Sequence, residues 1–502
     1  MSLLTAIVFL PLVGALAIVA VPSKHVQLLR LLALAATTVV GALAIVLYTA
    51  FDGAVADPQH LVEVPWFTLP GTAGIPATFR LGVDGISILL VVLTAILMPV
   101  VLLASYGHIQ ERVKEFLVWM LVMETGMLGV FLALDLVLFY VFWEVSLVPL
   151  YFIIGIWGGE QRLYATLKFF LYTMTGSLVM LVGVIALVYA ARTADVVEIT
   201  ANNATGGLGN ATWIFLAFAL AFAIKVPIIP FHTWLADAHT EAPTAGSVLL
   251  AGVMLKMGTY GLLRFGLAMF PAAALTWAPL FMALGAIGIV YGALLAMAQT
   301  DLKRLIACSS VSHLGFVVLG LFAATQAGLR GGVLQMVNHG LSTGLLFLLV
   351  GMIYERRHTR DLDQFGGLAA SMQVFAFFFT ITMLSRVGLP GLNGFVGEYL
   401  ILLGTFEASP LWAAVGVTGV ILSAVYLLRA TRKLLYGPIR HEANRGLADL
   451  NTREVGLMLP LVVLVFWIGL KPNAFLGKTE GTLDELHQRL EQVRNDVELG
   501  RR

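Results

Sequence analysis

A single cysteine, Cys308, in 502 residues leaves no partner for an intrachain disulfide, and too few thiolates for a zinc finger or a Cys-ligated iron–sulfur cluster. Charge is scarce as well: Asp, Glu, Lys and Arg make up 12% of the chain, against about 25% in a typical globular protein. The 30 basic and 29 acidic residues nearly cancel, to a net +1, so there is no basic field to draw in nucleic acid. Neither GxGxxG nor GxxxxGK[ST] occurs, which leaves no loop suited to a dinucleotide or a nucleoside triphosphate. No cofactor and no metal are expected within the chain. What abounds is hydrocarbon. With 59% hydrophobic residues and a mean hydropathy of +0.92, the chain cannot cover itself with a water-soluble surface. The composition predicts an all-α polytopic membrane protein rather than the several soluble domains that length alone suggests.

A membrane-crossing helix needs about 20 mostly apolar residues. Fourteen such stretches run near 2–22, 31–50, 86–105, 116–134, 136–157, 165–190, 212–234, 244–269, 277–298, 304–323, 331–354, 372–403, 411–436 and 455–470. The first has no A-x-A-like cleavage site behind it, so it reads as a retained span. An even number of spans puts both termini on one side. Loops after odd-numbered spans, among them Lys24, Arg112, Arg162, Lys168, Lys303, Arg304, Arg356 and Arg440, carry 17 basic residues against 4 after even-numbered ones. The Lys/Arg rule therefore places the odd-span loops in the cytoplasm and both termini outside. Asn203 and Asn210, in the outward loop 191–211, match the short glycosylation pattern. Beyond the last span, Leu483, Leu486, Leu490, Val493 and Val497 form a heptad stripe, and Thr482 with Glu485 forms a capping-box pattern. Such a helix wants a partner, either its own loops or a neighbouring subunit.

Ionisable residues recur inside the spans: Glu124, Glu144, Lys225, Lys256, His313, His339, Arg386 and Glu398. A charged group at mid-membrane costs about 2.5–3.5 kcal/mol on insertion scales. One alone is explained by a salt bridge that glues helices; eight titratable groups over seven spans point to proton-exchanging sites. Two spans are also broken. Span 7 carries Pro227 and Pro230 directly after Lys225, and span 12 carries Pro390 amid glycines ahead of Glu398. Grouped as spans 4–8 and 9–13, the broken helix is the fourth member of each set. Because five is odd, the second set runs inverted, the pattern of ion transporters with mid-membrane sites. The expected division is 1–115 (three N-terminal spans), 116–269 and 277–436 (the two repeats), and 437–502 (the last span and the tail).

The stretches FYVFWEVSLVPLYFIIGIWGG, AFAIKVPIIPFHTWLADAHTEAPTAGSVLLAGVMLKMGTYG, TDLKRLIACSSVSHLGFV and GLPGLNGFVGEYLIL resemble the antiporter-like M-type subunits of bacterial NADH:quinone oxidoreductase, respiratory complex I. Glu398, where related L and N types carry lysine, favours the M type. The resemblance implies a proton-pumping translocase subunit without redox chemistry of its own. It further implies that Glu144 pairs with Lys225, that Lys256 relays through the centre with His313 and His339, and that Glu398 is the terminal proton site, with Lys168 and His232 in support. A carboxylate beside a buried ammonium steadies it, and one that swings away lets the proton leave. Ser309 and Ser342 share helix faces with His313 and His339 and are expected to hold water. FMN, iron–sulfur clusters and quinone are expected in partner subunits, L-type and N-type subunits as neighbours, and the bacterial inner membrane as the location. Two other readings stand beside this one: an Mrp-type cation/proton antiporter or membrane-bound hydrogenase subunit, and a passive scaffold.

Overall fold

The computed structural model describes residues 2–70, 74–203, 211–439 and 441–498; Asn210, Arg440 and the side chains of Asn203 and Val497 lie outside it. Among the described residues, twelve helices are long and apolar enough to cross a membrane unaided. They are spans 1–6 (Leu3–Ala20, Val26–Ala50, Ile88–His108, Val113–Leu132, Leu136–Trp157, Arg162–Ala191), 8–11 (Thr244–Ala268, Pro271–Met297, Leu302–Ala323, Gln326–Arg357), 13 (Pro410–Leu435) and 14 (Thr452–Leu470). Spans 7 and 12 are each made of two half-helices, Ala211–Lys225 with Thr233–Glu241, and Gln373–Val387 with Asn393–Ala408. With the two broken ones counted, fourteen spans lie among the described residues, in rough agreement with the hydrophobic runs.

The breaks survive because protein groups satisfy the freed backbone. In span 7 the Trp234 indole donates to the Ile224 carbonyl at 3.0 Å. In span 12 Gly388 and Gly391 take φ of 84° and 93°, which a side chain would strain. There the Gly388 and Leu389 amides close back onto the Ser385 and Leu384 carbonyls at 3.3 and 3.1 Å. Burial then sorts the spans. Apolar side chains such as Leu163, Leu167, Leu171 and Val182 leave span 6 open on one side, whereas the apolar windows of spans 8, 10 and 11 are wholly enclosed. The ionisable residues of those three spans therefore face protein, not lipid.

The two five-span sets share a local signature. Asp135 caps span 5 by accepting from the amides of Val137 (2.9 Å) and Leu138 (3.1 Å), and Asp301 caps span 10 through the Arg304 amide at 2.9 Å. Each aspartate also pairs antiparallel with a second one at the same separation along the chain, Asp135 with Asp195 and Asp301 with Asp361.

On the side that carries both termini the structure adds an element to the helical plan. Loop 51–83 contains an antiparallel hairpin, β1 (Gln59–Thr68) and β2 (Pro76–Val83). The tail helix Glu480–Glu498 folds back on its own chain, burying Leu483, Leu486, Leu490 and Val493. Arg330 holds its Asp484 at 2.8 Å. Thr482 is not its cap: it accepts from the Gly85 amide at 3.0 Å and donates to the Ala56 carbonyl at 3.2 Å, tying the tail to the loop. The capping box of the structure is instead Asn451 with Glu454, at the start of span 14.

Candidate proton-relay site

The core of the site is a line of side chains across spans 8, 10, 11 and 12. Lys256 lies two residues beyond a π-helical stretch, Leu250–Met254, a local rewinding that is frequent at functional sites. Its ammonium meets the Ala251 carbonyl and stands 2.6 Å from His339 Nδ1. The His339 and His313 rings are 6.1 Å apart between centroids. His313 Nδ1 lies 3.1 Å from Glu398 Oε1, and its Nε2 lies 3.4 Å from the Tyr426 hydroxyl. Gln335 donates to the same Glu398 oxygen at 3.2 Å. Four of the predicted site residues are thus brought together, all at most 4% exposed.

Arg386 places a permanent cation among them, donating to Ser309 at 2.7 Å and to Thr343. Ser309 thus accepts from Arg386, and Ser342 bonds the Ser385 hydroxyl at 2.8 Å, so both hydroxyls beside the histidines have protein partners.

The first half is wired differently. The half-buried Glu144 carboxylate accepts from the Ser177 hydroxyl, next to Tyr140. Lys225 closes the first half-helix of span 7, with its ammonium 5.3 Å from the Trp143 ring centre. The expected Glu144–Lys225 pair is not closed here: no ion pair within 4.0 Å joins them among the described residues, although each lies in the other's electrostatic field. The supporting residues lie together elsewhere. Lys168 binds Asp237 at 2.7 Å, and Arg304 binds the same carboxylate at 3.0 Å. His232 meets Tyr291 edge to face, and these groups line one cavity of about 230 Å³.

Two residues escaped the sequence reading. His239, on the second half-helix of span 7, is wholly buried and stacked on Phe347 at 4.8 Å, and neither ring nitrogen has a hydrogen-bond partner among the described residues. Lys303, counted above as a loop lysine, is 6% exposed and donates to the Ala242 carbonyl at 2.5 Å. It floors a cavity of about 570 Å³ on the side opposite the termini, lined also by Glu241, Asp301, Tyr354, His358 and Arg360. The hint was present in the polar half-helix TWLADAHTE, too hydrophilic to be scored as part of a span. Glu124, also noted in the sequence, is fully buried, and neither carboxyl oxygen has a hydrogen-bond partner among the described residues.

Two broken helices in register, enclosing a buried Lys–His–His–Glu line, define an antiporter-like membrane subunit. Residues 133–423 match the transmembrane family described as NADH:quinone oxidoreductase/Mrp antiporter, and residues 63–134 match the amino terminus of NADH-ubiquinone oxidoreductase chain 4. The chain belongs to the subunit M family of NADH:quinone oxidoreductase, whose members are antiporter-like, proton-translocating membrane subunits of that complex. It is 45% identical to subunit M of Rhodobacter capsulatus over 490 residues, covering 94% of each chain. With chain 4 of Arabidopsis thaliana it shares 38% over 486 residues, covering 97% of each. Among solved structures it matches a chain of respiratory complex I from Thermus thermophilus with a TM-score of 0.86 and 34% identity, over 97% of this chain and 99% of that one. A chain of the Mrp complex from Dietzia sp. shares the fold, with a TM-score of 0.83 at 20% identity over 98% and 99% of the two chains.

Proposed function

We propose that protons cross this subunit along Lys303, His239, Lys256, His339, His313 and Glu398, driven by quinone reduction in partner subunits. The observation that carries the reading is the buried contact line from Lys256 to Glu398. At 2.6 Å the Lys256 and His339 nitrogens share a hydrogen bond, so one must donate and the other accept. That bond holds a proton that either base can take. The His339 and His313 rings stand 6.1 Å apart, so this step would need a bridging water, for which the buried His339 Nε2, without a partner among the described residues, is the free acceptor or donor. Glu398, desolvated and bonded to His313 and Gln335, receives the proton and releases it.

The polar cavity over Lys303 supplies water on the side opposite the termini, and His239 lies in the electrostatic field of both Lys303 and Lys256. Glu144 and Lys225 act as the gate. With the carboxylate held by Ser177 the ammonium stands without its counter-ion, and swinging Glu144 toward it would restore the pair. Lys168 and His232, joined through one cavity with Asp237, would support proton access at the break in span 7. The basic bias of the odd-span loops supports a cytoplasmic position for the Lys303 side, in a bacterial inner membrane with both termini outside. FMN, iron–sulfur clusters and quinone would then reside in partner subunits, and L-type and N-type subunits would flank this one.

The test is Lys225→Ala and Glu398→Ala in the assembled complex, with NADH-driven proton uptake measured in inverted vesicles. Loss of uptake in either variant, with the complex intact, is expected. Wild-type pumping in both would remove Glu398 from the path and Lys225 from its gate, and leave the scaffold reading. Co-purification with a flavin- and iron–sulfur-containing NADH dehydrogenase checks the partner assignment separately.

A further inference from the structure

Span 8 carries a second polar series that runs from Lys256 toward the side of the termini. Tyr260 and Arg264 follow at four-residue intervals, so all three share one helix face. The Tyr260 hydroxyl donates to the Phe131 carbonyl at 3.4 Å and accepts from Arg264 Nε at 3.4 Å. The Arg264 guanidinium forms an ion pair with Asp84, whose carboxylate also takes the amides of Ile86 (3.1 Å) and Ser87 (3.2 Å). Tyr260, Asp84 and Arg264 are 0%, 2% and 9% exposed. Immediately beyond the pair opens a cavity of about 180 Å³, lined by Asp57, Asp84, Arg264, Thr482, Glu485 and Arg489, with the tail helix as part of its wall.

The floor of that cavity lies eight residues from Lys256, roughly 12 Å along a helix. A relay that ends at Glu398 in the other half cannot also be open from Lys256 to the same side, because protons delivered there would run straight back. We propose that the Asp84–Arg264 pair is the barrier that seals Lys256 from the cavity under the tail helix. A guanidinium is well suited to such a barrier, because it does not give up its proton and so cannot pass one on. Its fixed charge repels an approaching cation, as arginines do in pores that exclude protons. Asp84 holds it in place and offsets the cost of its burial. The second π-helical stretch of the span, Leu262–Ala268, contains Arg264, and the Tyr260–Arg264 bond keeps the two side chains together across its start.

The inference rests on Lys256 being a proton carrier, and the experiment separates the two ideas. The complex carrying Asp84→Asn with Arg264→Gln, a neutral pair of similar size, is placed in vesicles loaded with a pH dye and given an acid pulse without NADH. Passive proton conductance is expected to rise several-fold over the wild-type complex, with NADH oxidation retained and the gradient per electron reduced. An assembled variant as tight as wild type overturns the proposal. Adding Lys256→Met should abolish the extra leak; a leak that persists bypasses Lys256 and overturns the proposal, whereas NADH-driven pumping retained in Lys256→Met alone would overturn the relay instead. A second measurement keeps the native pair, and so does not depend on the neutral pair assembling. With Cys308→Ala as background, a charged methanethiosulfonate reagent applied on the side of the termini should modify Ala268→Cys, which lines the cavity, and spare Lys256→Cys. Equal modification of both would overturn the barrier.

Discussion

The two five-span sets share a scaffold and differ in wiring. Both have an aspartate cap at the start of the second span and a broken fourth helix, and in both the first half-helix of the break ends on a cation, Lys225 or Arg386. A helix C-terminus favours positive charge, which explains the shared position. In the first set that cation is titratable, and its carboxylate, Glu144 on the unbroken span 5, is turned to Ser177. In the second set the cation is a guanidinium that keeps its proton, and the carboxylate, Glu398, lies just beyond the break, bonded to His313. One break therefore presents a charge that can be exchanged, and the other a fixed charge around which exchangeable groups are arranged. A common fold sets where a site lies in the membrane, while the residues on either side of the break decide what moves there.

The largest effects should come from interrupting the continuous line that runs from span 8 of the first set into the second. Lys256→Met or Glu398→Gln in the assembled complex is expected to cut NADH-driven proton uptake by at least about tenfold, since a positioned proton carrier is worth roughly 10²–10⁴-fold. Exchanging the two cations comes next. Lys225→Arg keeps the charge and removes its ability to titrate, so pumping should fall nearly as far as in Lys225→Met, with assembly preserved. Arg386→Lys keeps a cation near Ser309 and Thr343 and should cost only a few-fold. If Lys225→Arg pumps normally, the contrast between exchangeable and fixed charge fails. A smaller effect is expected from Ser177→Ala, which removes the donor that holds Glu144 away from Lys225. A changed pumping rate of a few-fold, with the complex still assembled, would show that the resting position of the carboxylate matters. An unchanged rate would make Glu144 indifferent to that bond.

Much of this was legible in the residue order, and the omissions have physical causes. The spans follow from run length, the breaks from Pro227, Pro230 and Pro390, and the relay from ionisable groups in apolar surroundings. Span 7 reads as ending at 234, because Thr233–Glu241 is too polar for any hydropathy window, and with it His239 and Asp237 read as loop. Lys303 follows an exposed-looking Thr300–Asp301 and scores as a surface lysine; it is buried with its ammonium on the Thr240 and Ala242 carbonyls, which lie about sixty residues away in the chain. The hairpin was hidden because the strand β1 is exposed along most of its length, so no alternation of buried and open positions marks it. Thr482 matches a capping pattern locally, but the amide it satisfies is that of Gly85, far away in the chain.

The finest comparison concerns the two capping aspartates. Replacing an N-cap by alanine costs about 1 kcal/mol. If the two sets were equivalent, Asp135→Ala and Asp301→Ala would destabilise equally. They are not equally placed. Asp135 is 1% exposed and, besides its two cap bonds, accepts from the Thr78 amide of β2 at 3.0 Å. Its removal strands a part-buried donor, which adds roughly 1 kcal/mol. Asp301 instead meets Arg360 at 3.1 Å with both side chains about a quarter exposed, a pair worth little once solvated. Asp135→Ala should therefore lower the thermal midpoint of the detergent-solubilised complex by about twice as much as Asp301→Ala, and should loosen the hairpin, read as faster amide exchange at Thr78. Equal shifts with an undisturbed hairpin would mean that β2 is held by its ion pair between Arg80 and Asp195 alone, and that the first set owes nothing extra to its cap.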